Sequence, residues 1–211
     1  MKLSKDDLLL YAITDRRNLD KKMFFEKIEE ALQGGVTILQ LREKELDEDS
    51  FINEAIEVKN ICRKHGVPLI INDNVNVALK SGADGVHVGI EDMPIDEIRR
   101  TVPDSFIIGA TCKTVEQAQS AERLGADYMG VGAVFPSPTK KNAVRITREQ
   151  LKEICASVSI PAVAIGGISL ENVDELKGGG MSGIAVVSAV FSADDIQKAA
   201  SLLKEKAKSL I

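Results

Sequence analysis

The chain has 211 residues, with 27 Lys+Arg against 32 Asp+Glu, a net charge of −5, 44% hydrophobic and 28% charged residues. That composition belongs to an ordinary globular chain able to bury roughly 70% of its unfolded surface, which excludes disordered and fibrous classes. The acidic balance argues against nucleic-acid or anionic-membrane binding, since either needs a basic face to neutralise phosphates.

In chain order, short apolar runs alternate with longer amphipathic ones. Strands are expected over residues 9–14, 37–41, 68–72, 85–88, 107–111, 128–131, 162–165 and 183–187. They lack clean polar alternation, as strands covered on both faces do. Between the first two runs, Phe24, Ile28, Ala31 and Leu32 recur at helical spacing, and the last segment repeats the pattern with Ile196, Ala199, Ala200, Leu203, Ala207 and Leu210. Gly34 and Gly35, Gly66, Gly82, Gly125, and Gly178 to Gly180 stand where left-handed helix caps are expected. His65, just before Gly66, is expected to face water at a helix end. Residues 82–89 resemble 125–132, and 180–187 are a looser echo. Eight βα units without a Pro/Gly/Ser-rich linker indicate the α/β class, a single (βα)8 TIM barrel spanning residues 1–211. A doubly wound open sheet is the alternative, but Thr14-Asp15-Arg16-Arg17 after the first strand is no glycine fingerprint.

Cys62, Cys112 and Cys155 are far apart and odd in number, so no disulfide framework is expected and a reducing cytoplasm is. Residues 1–7 carry no apolar leader, and no run approaches ~18 apolar residues, so a soluble protein with no signal peptide or membrane span is expected.

A barrel carries its active site at the C-terminal strand ends. Those positions hold Gln40-Leu41-Arg42-Glu43-Lys44, Asn72-Asp73-Asn74, His87 with Glu91-Asp92, Thr111-Cys112-Lys113, residues 136–141, Gly166-Gly167, and Val187-Ser188. Asp73 and Asp92 follow neighbouring strands and suit a hard oxygen-seeking cation such as Mg²⁺, although either could instead cap the helix that follows it. Arg42, Lys44, Lys113 and Lys140 form a basic cluster at the same mouth, which together with a Mg²⁺ pair suits a diphosphate. Gly166-Gly167 and Val187-Ser188 occupy the usual barrel phosphate site, where a tight turn is the competing reading, and Ser137 and Thr139 add hydroxyls. His87 reads as a satisfied core imidazole and Cys112 as a buried thiol. No Ser-His or Cys-His pair is evident, so no covalent nucleophile is expected.

In order along the chain, Tyr11-Ala12-Ile13-Thr14-Asp15, Gln40 to Lys44, Ile71-Asn72-Asp73, Gly82 to Gly89 with Glu91-Asp92-Met93, Gly132 to Lys140 and Ala164 to Ile168 resemble the thiamine-phosphate synthase family. The resemblance implies a transferase joining 4-amino-2-methyl-5-(diphosphooxymethyl)pyrimidine to a thiazole phosphate or its carboxylate, with Mg²⁺, giving thiamine phosphate and diphosphate. It implies Asp73 and Asp92 as metal ligands. Gln40, Leu41, Arg42, Glu43, Lys44, Asn72 and Lys140 become pyrimidine-diphosphate contacts, with Arg42, Lys44 and Lys140 stabilising the leaving group. Ser137, Thr139, Gly167, Val187 and Ser188 become thiazole-phosphate contacts. Thr111 stands where a serine is common, Lys113 where a histidine is, Ile90 where a glutamine is, and Ser137 where a threonine is. A related thiazole tautomerase shares barrel and phosphate site, but the residues suited to a diphosphate favour the synthase; a non-catalytic phosphate-binding barrel is the third reading. The expected partners are small molecules rather than nucleic acid or membrane, and a homo-oligomer is left open.

Overall fold

The computed structural model describes residues 3–16, 19–89, 91–136 and 144–211. Eight parallel strands close into a barrel in sequence order: β1 (Leu10–Ile13), β2 (Ile38–Leu41), β3 (Leu69–Asn72), β4 (Gly85–Val88), β5 (Ile107–Cys112), β6 (Tyr128–Gly132), β7 (Ala162–Ile165) and β8 (Gly183–Val186). Each of the eight expected runs contains its strand to within a residue at either end. Closure pairs Leu10 of β1 with Ile184 of β8.

The helices are α1 (Lys21–Gln33), α2 (Glu48–His65), α3 (Val75–Ser81), α4 (Ile95–Thr101), α5 (Val115–Leu124), α6 (Arg148–Ala156), α7 (Ser188–Phe191) and α8 (Ile196–Lys208). Among the described residues they do not alternate one for one with the strands: β7 is followed by a 3₁₀ turn, Val173–Leu176, while β8 is followed by both α7 and α8. None is long and apolar enough to cross a membrane. Asp20 caps α1, Asp47 caps α2, and Thr147 with Gln150 forms a capping box on α6, each satisfying amide donors that a helix start leaves free.

Period-two alternation divides the strands between two cores. Leu10, Ala12, Leu39, Leu41, Val86, Ile108 and Val131 face outward and pack under the helices. Tyr11, Ile38, Ile70, Ile107, Tyr128 and Val163 face inward and fill the barrel. Leu8, from the 3₁₀ turn Asp6–Leu8, joins the inner core, and Gly183 permits its close approach because a Cβ there would overlap the Leu8 carbonyl.

The repeat has a physical cause. Asp84 Oδ2 accepts from the Leu69 amide at 2.7 Å and pairs with Lys59 of α2 at 2.5 Å. Asp127 Oδ2 accepts from the Ile108 amide at 2.8 Å and pairs with Arg99 of α4 at 2.6 Å. Each Gly-Ala-Asp segment therefore ties the start of one strand to the strand before it and to a helix. In the looser copy Ser182 supplies only its backbone, donating to the Ala162 carbonyl at 2.7 Å. Three expectations change, the first being Gly179, which unlike Gly178 and Gly180 has no positive φ. Gly34 is right-handed, at φ −70°, and is glycine because a Cβ would meet Ala200 of α8 at 2.7 Å; Gly35, at φ +98°, is the left-handed one. His65 does end α2, but its Nε2 lies 2.6 Å from Glu29 Oε1 rather than in water alone.

Candidate active site

At the C-terminal strand ends lies a cavity of about 190 Å³, bounded by inward-facing residues from all eight strands and the turns that follow them. A hydrogen-bonded chain crosses its floor. Gln40 Nε2 donates to Tyr11 Oη at 2.8 Å, Tyr11 and Tyr128 hydroxyls are 2.7 Å apart, His87 Nδ1 is 3.0 Å from Tyr128 Oη, and His87 Nε2 is 3.0 Å from Thr111 Oγ1. The Gln40 amide sets the direction. Tyr11 already accepts from it and is buried, so the Tyr11 proton goes to Tyr128 rather than to nothing. Tyr128 can then donate to His87 Nδ1 and His87 Nε2 to Thr111 Oγ1. The Thr111 hydroxyl proton is thereby left for the cavity. Burial raises both phenols well above the ordinary tyrosine range, keeping the chain protonated. Gly109 makes room for it, since a Cβ there would lie 2.5 Å from His87 Nδ1.

On one side of the mouth stand the carboxylates. Asp73 has a left-handed backbone, φ +62°, the one positive φ at a non-glycine among the described residues, and its amide donates to the His87 carbonyl at 2.9 Å. Lys44 Nζ reaches Asp73 Oδ2 at 2.9 Å. Asp92 Oδ2 accepts from the Gly89 amide at 2.6 Å. Neither caps a helix: Asn74 caps α3, and the cap position of α4 is Pro94, which offers no side-chain acceptor. The two carboxyls are near enough for each to act on the other's charge. Burial pushes the Asp73 carboxyl up, but the Lys44 ammonium outweighs it and holds Asp73 below the usual range. Burial and the Asp73 charge push Asp92 up, against the Gly89 amide.

Across the mouth, Gly166 (φ +104°) and Gly167 (φ +67°) turn the chain after β7. Asn172 holds this turn, donating to the Gly167 carbonyl at 2.8 Å and accepting from the Ser169 amide at 2.9 Å. The amides of Gly167, Ile168 and Ser188 find no acceptor among the described residues, and all three residues line the cavity. Turn and cradle are thus one structure: a Cβ at Gly167 would overlap the Pro136 carbonyl, so the backbone that exposes these amides requires glycine.

The family model for thiamine monophosphate synthase matches residues 10–190. The chain belongs to that family. It is 46% identical over 202 residues to a thiamine-phosphate synthase from Ruminiclostridium cellulolyticum, covering 96% of both chains. It is 47% identical over 205 residues to one from Methanobrevibacter smithii, covering 96% of this chain and 98% of the relative. The solved thiamine phosphate pyrophosphorylase from Pyrococcus furiosus superposes with a TM-score of 0.90 at 40% identity, covering 98% of both chains. The 3-hexulose-6-phosphate synthase of Salmonella typhimurium, at 17% identity and TM-score 0.73, shares the fold.

Of the residues that the thiamine monophosphate synthase resemblance singles out, Gln40, Arg42, Asn72, Thr111, Gly167, Val187 and Ser188 line the cavity, as does Lys113. Lys44, Asp73 and Asp92 form the carboxylate side of the mouth. Two others do not reach it. Leu41 faces outward into the helix layer, and Glu43 is paired with Arg16 at 3.1 Å with its side chain 4% exposed. Alternation explains this, because residues 40–44 cannot all present side chains to one side. Ser137, Thr139 and Lys140, like Ile90, lie outside the described residues. Sequence reasoning missed Tyr11, Tyr128 and Asn172 and set His87 aside as a satisfied core imidazole. It is satisfied, but within the cavity wall. The signal available was inward register: Tyr11 and Gln40, His87 and Thr111 all occupy barrel-facing positions.

Proposed function

We propose that this cavity couples an aminopyrimidine methyl diphosphate to a thiazole phosphate, releasing thiamine phosphate and diphosphate. The observation that carries the reading is the division of the mouth into two anion-receiving sides: cations and paired carboxylates around β2 to β4, free backbone amides after β7 and β8. A tautomerase handling one phosphate has no use for the first side.

The residues fit a bound Mg²⁺. Asp73 and Asp92 are neighbouring oxygen donors that serve no helix, although among the described residues no group of three or more His, Cys, Asp or Glu gathers there or elsewhere, so the protein would supply this pair alone. A carboxylate pair suits an ion that takes its remaining ligands from water and diphosphate. When bound, Mg²⁺ supplies charge stabilisation to the departing diphosphate. Arg42 and Lys44 add positive charge on that side, a part the family resemblance also gives to Lys140. The cavity floor, with Gln40 on one side and the Thr111 donor on the other, offers an amide and a hydroxyl to the pyrimidine. Gly167, Val187 and Ser188 hold the thiazole phosphate and present its ring nitrogen to the methylene carbon, a part the family resemblance extends to Ser137 and Thr139. That nitrogen has no proton to lose, so no general base is needed, and the 4-amino group supports cationic character at the methylene as the C–O bond opens.

Three free cysteines accord with a reducing compartment such as the cytoplasm. The deciding experiment mixes both substrates with Mg²⁺ and follows thiamine phosphate and diphosphate by mass spectrometry. Formation of both is expected. Isomerised thiazole alone, or binding without turnover, would refute the reading.

A further inference from the structure

The Thr14-Asp15-Arg16 segment follows β1, yet none of its side chains lines the cavity. We propose that Thr14 and Arg16 form a brace that positions residues 42–44, making Arg16 a positioning residue for the diphosphate side of the site; this rests on the function proposed above.

The β1–β2 register runs as far as Ile13 opposite Gln40. Beyond it the Thr14 amide donates to the Gln40 carbonyl at 2.9 Å, and the Arg42 amide donates to Thr14 Oγ1 at 2.9 Å. Thr14 is fully buried, so its hydroxyl carries the ladder one step past the strand ends. Arg16 takes over from there. Its Nε donates to Glu43 Oε1 at 3.1 Å, its Nη2 donates to Glu54 Oε2 of α2, and its Cζ lies 4.4 Å from the Phe24 ring centroid of α1. One guanidinium thus ties the β1 end, the β2 end and two helices. The Glu43 and Glu54 side chains are 4% and 6% exposed, which makes these charge pairs far less screened than surface ones.

Along residues 42–44 the side chains alternate. Arg42 lines the cavity, Glu43 turns into the brace, and Lys44 crosses to Asp73. Anchoring the middle residue sets where the flanking cations project. Arginine suits the role because its planar fork can bond two carboxylates while its face stacks on an aromatic ring, which an ammonium cannot do. Without Arg16 the Glu43 carboxylate would be left buried with no cationic partner, whether or not Glu54 keeps its charge. Glu43 would turn to solvent and carry Arg42 and Lys44 with it. In keeping with that cost, burial already holds the Glu43 carboxyl above its ordinary range.

The test uses Arg16→Gln with Glu54→Gln, a double variant that leaves the brace region's net charge unchanged, alongside Arg16→Lys. Hydrogen–deuterium exchange over residues 40–45 should quicken about tenfold or more in the double variant while the rest of the barrel is unaltered. Titration with inorganic diphosphate and Mg²⁺ should show Kd raised about tenfold, and KM should rise similarly for the pyrimidine diphosphate but by less than about twofold for the thiazole phosphate. Arg16→Lys should fall between the two proteins and, if the double variant does not fold, carries the same measurements with a shift of about threefold. A folded variant with wild-type exchange over residues 40–45, or with both KM values raised equally, would overturn the brace. Wild-type protein that makes no thiamine phosphate would overturn the functional reading instead, while exchange and the diphosphate titration still decide the brace.

Discussion

Tyr128→Phe deletes one oxygen from the middle of the cavity floor. Its hydroxyl joins Tyr11 at 2.7 Å to His87 at 3.0 Å, and the ring is fully buried, so phenylalanine fills the same space without a cavity. The cost is therefore polar. Two neutral hydrogen bonds contribute about 1 kcal/mol each, and a buried donor or acceptor left without its partner costs a further ~1–3 kcal/mol. Tyr11 keeps Gln40, and His87 borders the cavity and can take water, so relief is partial and the expected loss is about 2–4 kcal/mol. For a chain of this size that corresponds to a Tm lowered by roughly 5–15 °C. Thr111→Val removes a single bond at the half-buried end of the chain and should cost about 1 kcal/mol. Urea unfolding followed by circular dichroism measures both. A double-mutant cycle of Tyr128→Phe with His87→Leu should return a coupling of about 1 kcal/mol or more. A Tyr128→Phe protein within about 0.5 kcal/mol of wild type, or a cycle that closes at zero, would refute a continuous buried chain.

Asp92→Asn keeps an oxygen for the Gly89 amide but removes the charge, so Mg²⁺-dependent affinity for the pyrimidine diphosphate should fall by about tenfold or more with thiazole-phosphate affinity unchanged; calorimetry showing no loss would remove Asp92 as a ligand. Asp84→Ala and Asp127→Ala should each lower stability by about 2 kcal/mol, because each loses a backbone acceptor and a charge partner; a neutral result at either position would break their equivalence. Burial pushes the Cys62 and Cys112 thiols up to about 12, so in native protein at pH 8 these two should react with a thiol reagent only on unfolding, while the partly buried Cys155, pushed up to about 11, should label slowly; rapid labelling of Cys62 or Cys112 would contradict that packing. Replacing the pyrimidine 2-methyl by trifluoromethyl should slow single-turnover chemistry by orders of magnitude if the C–O bond opens ahead of attack, each ~1.4 kcal/mol being tenfold; an unchanged rate would favour direct displacement.

Strand positions were legible because apolar runs covered on both faces need no partner to be recognised, and the basic and acidic residues were legible because they follow those runs in a fold whose chemistry sits at strand ends. The sequence by itself also determined the repeat: Gly-Ala-Asp recurs because two strand starts need the same carboxylate clasp. Facing was decided only in three dimensions. Along residues 40–44 every side chain is a polar or apolar candidate on paper, and register with β1 alone sends Gln40 and Arg42 to the cavity, Leu41 to the helices and Glu43 to Arg16. Likewise Asp73 and Asp92 read equally well as helix caps until Asn74 and Pro94 are seen in those places. Inward register marks the members of the hydrogen-bonded floor, but not that they meet. Tyr11, Gln40, His87, Thr111 and Tyr128 come from five strands, and barrel closure is what brings side chains separated by up to 117 residues within 3.0 Å of one another.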